Sequence, residues 1–150
     1  MIFVYPIVAR SSQVQMHYSA IHDFIQRCSS IAPSLVGWLD EESLFNDENR
    51  EGTAPGGFLN RFGYYVIGST VGGHAIVASD TDPRVTFADY TWYDDDEVDF
   101  KDLGGDGTWH ALPLTGPNVR QSLYELASDR DEFLLKLQSG EIESLLEPIA

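Results

Sequence analysis

The sequence predicts an α+β fold in which a central, mostly antiparallel sheet is flanked by helices from both ends of the chain. Three β-rich runs lie between residues 62 and 90 with short turn sequences between them, and helical periodicity precedes and follows this region. The chain has 150 residues, 43% of them hydrophobic, which supplies one ordinary core. We therefore expect a single domain over residues 1–150 with helices on one face of its sheet.

The N-terminal third predicts a helix over about residues 13–29. Ser12 and Gln15 match a capping box, in which each side chain satisfies a free backbone N–H of the first turn. Apolar residues follow at helical spacing, and Pro33 ends the pattern. The residues at this spacing are Val14, His17 or Tyr18, Ile21, Phe24, Ile25 and Cys28. Residues 34–48 predict a short helix, and residues 49–57 have the composition of a loop.

The middle of the chain predicts an antiparallel meander over residues 62–90. The β-rich runs cover residues 62–68, 74–78 and 84–90, with turn sequences at 71–73 and 80–83 between them. Six side chains are expected to supply much of the packing of this sheet. They are Tyr65, Ile67, Ile76, Val77, Val85 and Phe87.

The C-terminal part predicts one short strand and then helices. Residues 109–112 favour a strand, and Pro117 opens a helical pattern that continues through Val119 to Ala127. Residues 128–131 offer an N-cap for a second helix with acids in its first turn. Gly140 is a suitable C-cap for that helix, and residues 142–146 predict a last helical turn.

The charge balance excludes several classes of ligand. Twenty-four acids against nine bases give a formal net charge of −15, which repels nucleic acid and anionic lipid and attracts a basic partner.

No apolar run has the length of a membrane span, and no basic residues precede the apolar N-terminus. Cys28 is the only cysteine, so no internal disulfide forms. A cytoplasmic protein is expected.

Residues 89–106 form the strongest local feature, with eight acids against Lys101 alone and therefore a net charge of −7. Three interpretations stay open: a solvated loop, a docking face for a basic protein, and a Ca²⁺ or Mg²⁺ site whose spacing does not fit an EF-hand. Neighbouring aromatic side chains favour the docking face, since aromatics anchor interfaces. The candidate partner-binding residues are Tyr90, Trp92, Tyr93, Asp94, Asp95, Asp96, Glu97 and Asp99.

Enzyme signatures are missing from the sequence. It contains no nucleophile elbow, no phosphate-binding loop and no zinc-ligand spacing, and Cys28 lies on the apolar stripe of the first predicted helix. For His74 we expect an ordinary structural hydrogen bond. We predict no catalytic residue, no cofactor and no metal ligand. The alternative is an enzyme site assembled in space from scattered acids with His74 or His110.

Residues 63–69, 72–77 and 84–90 together resemble the core of the SUKH (Smi/Knr-like) superfamily. The shared features are an aromatic-rich strand ending in Ile67-Gly68, the Gly72-Gly73 turn, a hydrophobic strand, and a strand in which Arg84 leads to residues 85–90. Residues 122–135 resemble a helical segment of the family. The resemblance covers residues 60–137, and the N-terminal third departs from the pattern.

The resemblance implies a single α+β domain with flanking helices and no catalytic residues. Many bacterial members are immunity proteins that neutralise a cognate toxin, often a nuclease, and others are binding modules of larger regulatory proteins. The expected function is therefore an immunity protein that binds a basic toxin domain through an acidic, aromatic-bearing surface. A housekeeping or regulatory interaction domain is the alternative, and a metal-assisted hydrolase ranks below it.

Overall fold

The computed structural model describes residues 5–147, and side chains from Tyr18 onward. The helices are α1 Tyr5–Ile31, α2 Glu42–Glu48, α3 Gly56–Leu59, α4 Gly116–Ser122, α5 Arg130–Ser139 and α6 Glu141–Leu146. The strands are β1 Gly37–Trp38, β2 Tyr64–Ser69, β3 Ala75–Ser79, β4 Val85–Ala88, β5 Glu97–Lys101, β6 Trp109–Pro113 and β7 Tyr124–Ala127. Short 3₁₀ helices cover Asn60–Phe62 and Tyr90–Trp92. The α+β class is confirmed.

Five strands form the central sheet in the order β1-β2-β3-β4-β7, and every neighbouring pair is antiparallel. The predicted meander is confirmed as β2, β3 and β4. The turn between β2 and β3 depends on Gly73, whose φ of 84° is a conformation that glycine adopts without strain. All six side chains expected to pack this sheet are buried: Tyr65, Ile67, Ile76, Val77, Val85 and Phe87.

Strand β7 corrects the prediction of a helix through Ala127. Helix α4 ends at Ser122, and the next residues form a strand in which Glu125 lies opposite Thr86 of β4. The spacing of the apolar side chains fits either a helix or a strand over so short a segment. The segment forms a strand because it can pair with the open edge of β4, which is distant in sequence. The expectation of a helix over residues 124–127, which the resemblance also implied, is therefore wrong.

The first helix is longer than predicted. Helix α1 begins at Tyr5 rather than near residue 13, so residues 12–15 lie inside it and do not start it. The side chains of Ser12 and Gln15 lie outside the described residues. The short helix expected within residues 34–48 is confirmed as α2, but the two-residue strand β1 before it was not predicted. Gly140 ends α5 with a φ of 82°, as expected of a C-cap.

Both faces of the central sheet are covered, so the expectation of helices on one face was incomplete. Every residue of β3 and β4 is buried. Tyr65 packs its ring against Phe45 of α2, with 5.7 Å between ring centroids. Tyr64 points to the opposite face because side chains alternate along a strand. Its hydroxyl donates to Asp82, which Arg120 of α4 also contacts.

Asn49 completes the outer edge of β2 where β1 ends. Its side-chain carbonyl accepts the backbone N–H of Val66 at 2.7 Å, and its amide nitrogen donates to the Val66 carbonyl at 3.0 Å. The same nitrogen donates to the carbonyl of Phe45. Asn49 is buried, so neither water nor another strand replaces these bonds. The side chain thus acts as one residue of a neighbouring strand.

A buried carboxylate holds α4 to the turn between β3 and β4. Asp82 is 1% exposed and accepts hydrogen bonds from Tyr64 and Arg84, while a guanidinium nitrogen of Arg120 lies 3.2 Å away. Burial alone raises the pKa of Asp82, but the hydrogen bonds from Arg84 and Tyr64 outweigh it and lower the pKa to about 2. The Asp82 carboxylate within this network is therefore ionised at neutral pH.

We predict that Asn49→Ala lowers the free energy of unfolding by about 3 kcal/mol, because it leaves the two buried backbone groups of Val66 without partners. Urea unfolding measures the effect. Asn46→Ala, on α2, is the matched control, since Asn46 makes no hydrogen bond to the sheet and its buried side-chain oxygen has no partner among the described residues. Equal losses in the two variants would contradict the role of Asn49.

We predict that Asp82→Asn removes a pH-dependent part of the stability. The folded pKa of about 2 lies below the unfolded value of about 3.9, so the ionised carboxylate stabilises the fold above pH ~4 by about 2 kcal/mol. That contribution is lost as the pH falls from ~4 to ~2. Urea unfolding should therefore show a stability gap between wild type and variant that shrinks over this range.

The exposed Asp131→Asn is the control for that experiment, since its carboxylate faces solvent. Its stability gap to the wild type should stay small at every pH. A gap between wild type and Asp82→Asn that stays constant from pH 6 to pH 2 would contradict the assignment.

Candidate partner-binding surface

The acidic run continues into a two-stranded hairpin rather than a plain loop. Strand β5 pairs with β6 in an unbroken antiparallel register from Glu97 opposite Pro113 to Lys101 opposite Trp109. Burial alternates strictly along β5, where Val98 and Phe100 are buried and the residues between them are exposed. One face of the hairpin is therefore packed against the protein and the other faces solvent.

The exposed side of this hairpin, which we call the hairpin outer face, combines acids with an aromatic ring. Trp109 is 60% exposed and lies opposite Lys101. Glu97 and Asp99 lie on the same face, because side chains directly opposite each other in an antiparallel pair share a face. The complete set is Glu97, Asp99, Lys101, Trp109, Ala111 and Pro113.

Trp92 and Tyr93 do not lie on this surface. Each is only 5% exposed. The ring of Trp92 packs against Phe100 on the inner face of the hairpin at a centroid distance of 6.4 Å. The hydroxyl of Tyr93 lies 2.7 Å from the hydroxyl of Ser122, and burial raises the pKa of Tyr93. Neither side chain is available as an exposed anchor in the folded protein.

Tyr90 is exposed, but it belongs to a different part of the surface. Its ring lies over Gly73 in the turn between β2 and β3, so closely that a Cβ on Gly73 would come within 2.6 Å of the ring. The predicted site residues are therefore divided among three places: the β2–β3 turn, the core and the hairpin.

The acids that precede β5 have local partners. One oxygen of Asp94 accepts the backbone N–H groups of Asp96 and Glu97, and these bonds lower the pKa of Asp94. Asp95 forms an ion pair with Arg61 at 2.7 Å. Asp96 is exposed, and its backbone carbonyl accepts the N–H of Leu114. Asp94 thus shapes the turn into β5, while Asp96, Glu97 and Asp99 present their carboxylates to solvent.

His74 and His110 make local structural contacts. His74 lies just before β3, and Asp89 lies just after β4. Nε2 of His74 is 3.0 Å from the Asp89 carboxylate, and the His74 ring stacks on Phe87. His110 stacks on Phe100 and lies 3.2 Å from the hydroxyl of Thr108. Within the described part of the chain, no three His, Cys, Asp or Glu side chains are placed to share a metal ion.

Cys28 is fully buried among apolar side chains, as its position in the helical pattern predicts. Burial raises the pKa of its thiol to about 12. At neutral pH the group is therefore a protonated, apolar core residue and a poor nucleophile.

Comparison with protein-family models, with curated proteins and with solved structures returned no match. Among the helices in residues 5–147, none has the length and apolar character needed to cross a membrane.

Trp109 is the residue of this surface that the sequence analysis missed. The sequence does contain a signal for it. Residues 97–101 alternate between charged and apolar types, and residues 109–113 form a run of the same length that can pair with them. Strict alternation predicts a half-buried strand. With Phe100 facing the core, Trp109 opposite Lys101 must face outward. The acidic composition of the run favoured a loop and hid this pattern.

We predict that removing the side chains of the two tryptophans changes the stability of the protein by very different amounts. Trp92→Ala should lower the free energy of unfolding by about 4 kcal/mol, as expected for a buried aromatic side chain. Trp109→Ala should change it by less than about 1 kcal/mol, because the ring is mostly in water. Urea unfolding followed by far-ultraviolet circular dichroism measures both. A large loss of stability in Trp109→Ala would contradict the assignment of the hairpin outer face.

Proposed function

We propose that this chain is a non-catalytic protein-binding module, a SUKH-like immunity protein that neutralises a basic toxin domain through the hairpin outer face. The observation that carries the proposal is the exposed Trp109 on the same face as Glu97 and Asp99. Exposed aromatic rings surrounded by charge are typical of interface centres, where the ring supplies buried area and the charges select the partner.

The electrostatics of the chain support a cationic partner. The net charge is −15, and 18 residues around the hairpin carry −7 of it. Carboxylates packed this densely repel one another, so they lower the stability of the free protein. A partner rich in lysine and arginine relieves this repulsion and is attracted over a distance of about one Debye length, ~8 Å in physiological salt.

The immunity role rests on complementarity with nucleases. A nuclease active site is basic because it binds phosphate groups, and an acidic protein surface competes with nucleic acid for such a site. The antiparallel meander with its Gly72-Gly73 turn, which carries the SUKH resemblance, adds support. A housekeeping or regulatory interaction domain would use the same surface on a different basic partner, and protection of growth separates the two roles.

The proposal predicts distinct kinetic effects for the acids and for the tryptophan in binding to the proteins encoded by the neighbouring genes. Glu97→Gln together with Asp99→Asn should lower the association rate roughly three- to tenfold at low salt and flatten its salt dependence. Trp109→Ala should instead raise the dissociation rate about tenfold or more. Surface plasmon resonance at two salt concentrations measures both rates.

Glu143→Gln together with Glu147→Gln is the control, because it removes the same charge from exposed positions on and just after α6. The control should keep the wild-type kinetics. Co-expression with the neighbouring gene product then tests the immunity role, with growth protected by the wild type and lost with Trp109→Ala. Wild-type kinetics in both hairpin variants would contradict the binding surface, and binding without protection would favour the regulatory alternative.

A further inference from the structure

The backbone of β6 has an open edge. Asp102 N–H donates to the carbonyl of Thr108, and Leu114 N–H donates to the carbonyl of Asp96. In a regular antiparallel ladder hydrogen-bonded pairs recur at every second residue, so residues 108, 110, 112 and 114 direct their backbone groups toward β5. Trp109, Ala111 and Pro113 therefore direct theirs away from it.

The open segment is limited to Trp109 and Ala111. Pro113 has no N–H, and its carbonyl accepts a hydrogen bond from the side chain of Asn118 at 2.8 Å. At this edge, the N–H and C=O groups of Trp109 and Ala111 make no hydrogen bond to any other described residue. The outer edge of β5 is partly occupied, because the carbonyl of Glu97 accepts the N–H of Asp94.

We propose that this edge of β6 receives an extended, lysine- or arginine-rich segment of the partner as a third strand of the hairpin sheet. The inference rests on the proposed function and specifies how its partner is held. Exposed strand edges bind extended segments through main-chain hydrogen bonds, and side chains then give selectivity.

The side-chain chemistry of the outer face fits such a segment. An added strand would lie about 5 Å from β6 and roughly 10 Å from β5. Side chains of its outward-facing residues would pass beside Trp109 and over the small Ala111. Lysine and arginine side chains are long enough to span the second strand and reach Glu97 and Asp99 on β5. The indole would also cover their aliphatic stems.

The test uses a seven-residue peptide of alternating lysine and valine, acetylated and amidated, and a second version with every backbone nitrogen methylated. Both carry the same charge and side chains, but the methylated peptide has no N–H to donate to β6. Nuclear magnetic resonance titration measures the dissociation constants. We expect the unmethylated peptide to bind at least tenfold more tightly and to slow hydrogen exchange of the Trp109 and Ala111 amides.

Ala111→Pro tests the same edge from the protein side. It removes an N–H that does not take part in the β5–β6 ladder, so the hairpin should stay folded. Ala111→Val is the matched control, because it adds bulk on the same face and keeps the N–H. We expect Ala111→Pro to bind the unmethylated peptide at least tenfold more weakly and Ala111→Val to bind it like the wild type.

Two results would overturn strand addition: equal binding of the two peptides to the wild type, or no binding of either. The peptide comparison gives this answer even if Ala111→Pro does not fold. The proposed function fails separately, when Trp109→Ala and the double acid variant bind the neighbouring gene product like the wild type. If those variants weaken binding while N-methylation has no effect, the hairpin outer face binds through side chains alone.

Discussion

The pairing of the Asn49 side chain with the backbone of Val66 closes the central sheet on the side where β1 is too short to do so. All strands of this sheet except its outermost ones are buried on both faces, so an unpaired backbone group at its edge would be costly. At the other edge, Lys136 of α5 donates to the carbonyl of Leu126 in β7. Side chains thus satisfy backbone groups at both sides of the central sheet, whereas the backbone groups of Trp109 and Ala111 in β6 have no such partner among the described residues.

The distribution of charge follows the same division. In the central sheet the buried Asp82 is matched by Arg84 and Arg120, and its carboxylate adds to stability. Around the hairpin, Arg61 is the arginine that pairs with Asp95 among the described side chains, and an exposed pair of this kind contributes about 1 kcal/mol or less. Among the described residues, Glu97 and Asp99 form no ion pair that would offset their mutual repulsion. The proposed cationic partner would account for their placement.

The meander could be predicted because its signals are local: a glycine turn at Gly73 and a turn at residues 80–83 separate runs that are apolar on both faces. The identity of β7 could not, since its four residues are a strand only because the distant β4 offers an edge. Of the acids predicted for the candidate surface, Glu97 and Asp99 lie on the hairpin outer face, and the ring of Trp109 was not predicted there. Composition does not show which residues of a strand face the core. Only the alternation of residues 97–101 indicates that Phe100 faces inward and that Lys101, opposite Trp109, faces outward.

One face of the hairpin packs on the core, and the other is the face that the proposed function uses for recognition. Val98 and Phe100 attach its inner face to the core, and Trp92 packs there as well. The outer face is then held in a fixed shape without contributing to the core, which lowers the entropy lost when a partner binds. His74, by contrast, pairs with Asp89 and stacks on Phe87, so it links the start of β3 to the end of β4. The proposed partner would therefore contact the carboxylates and the indole of the hairpin outer face.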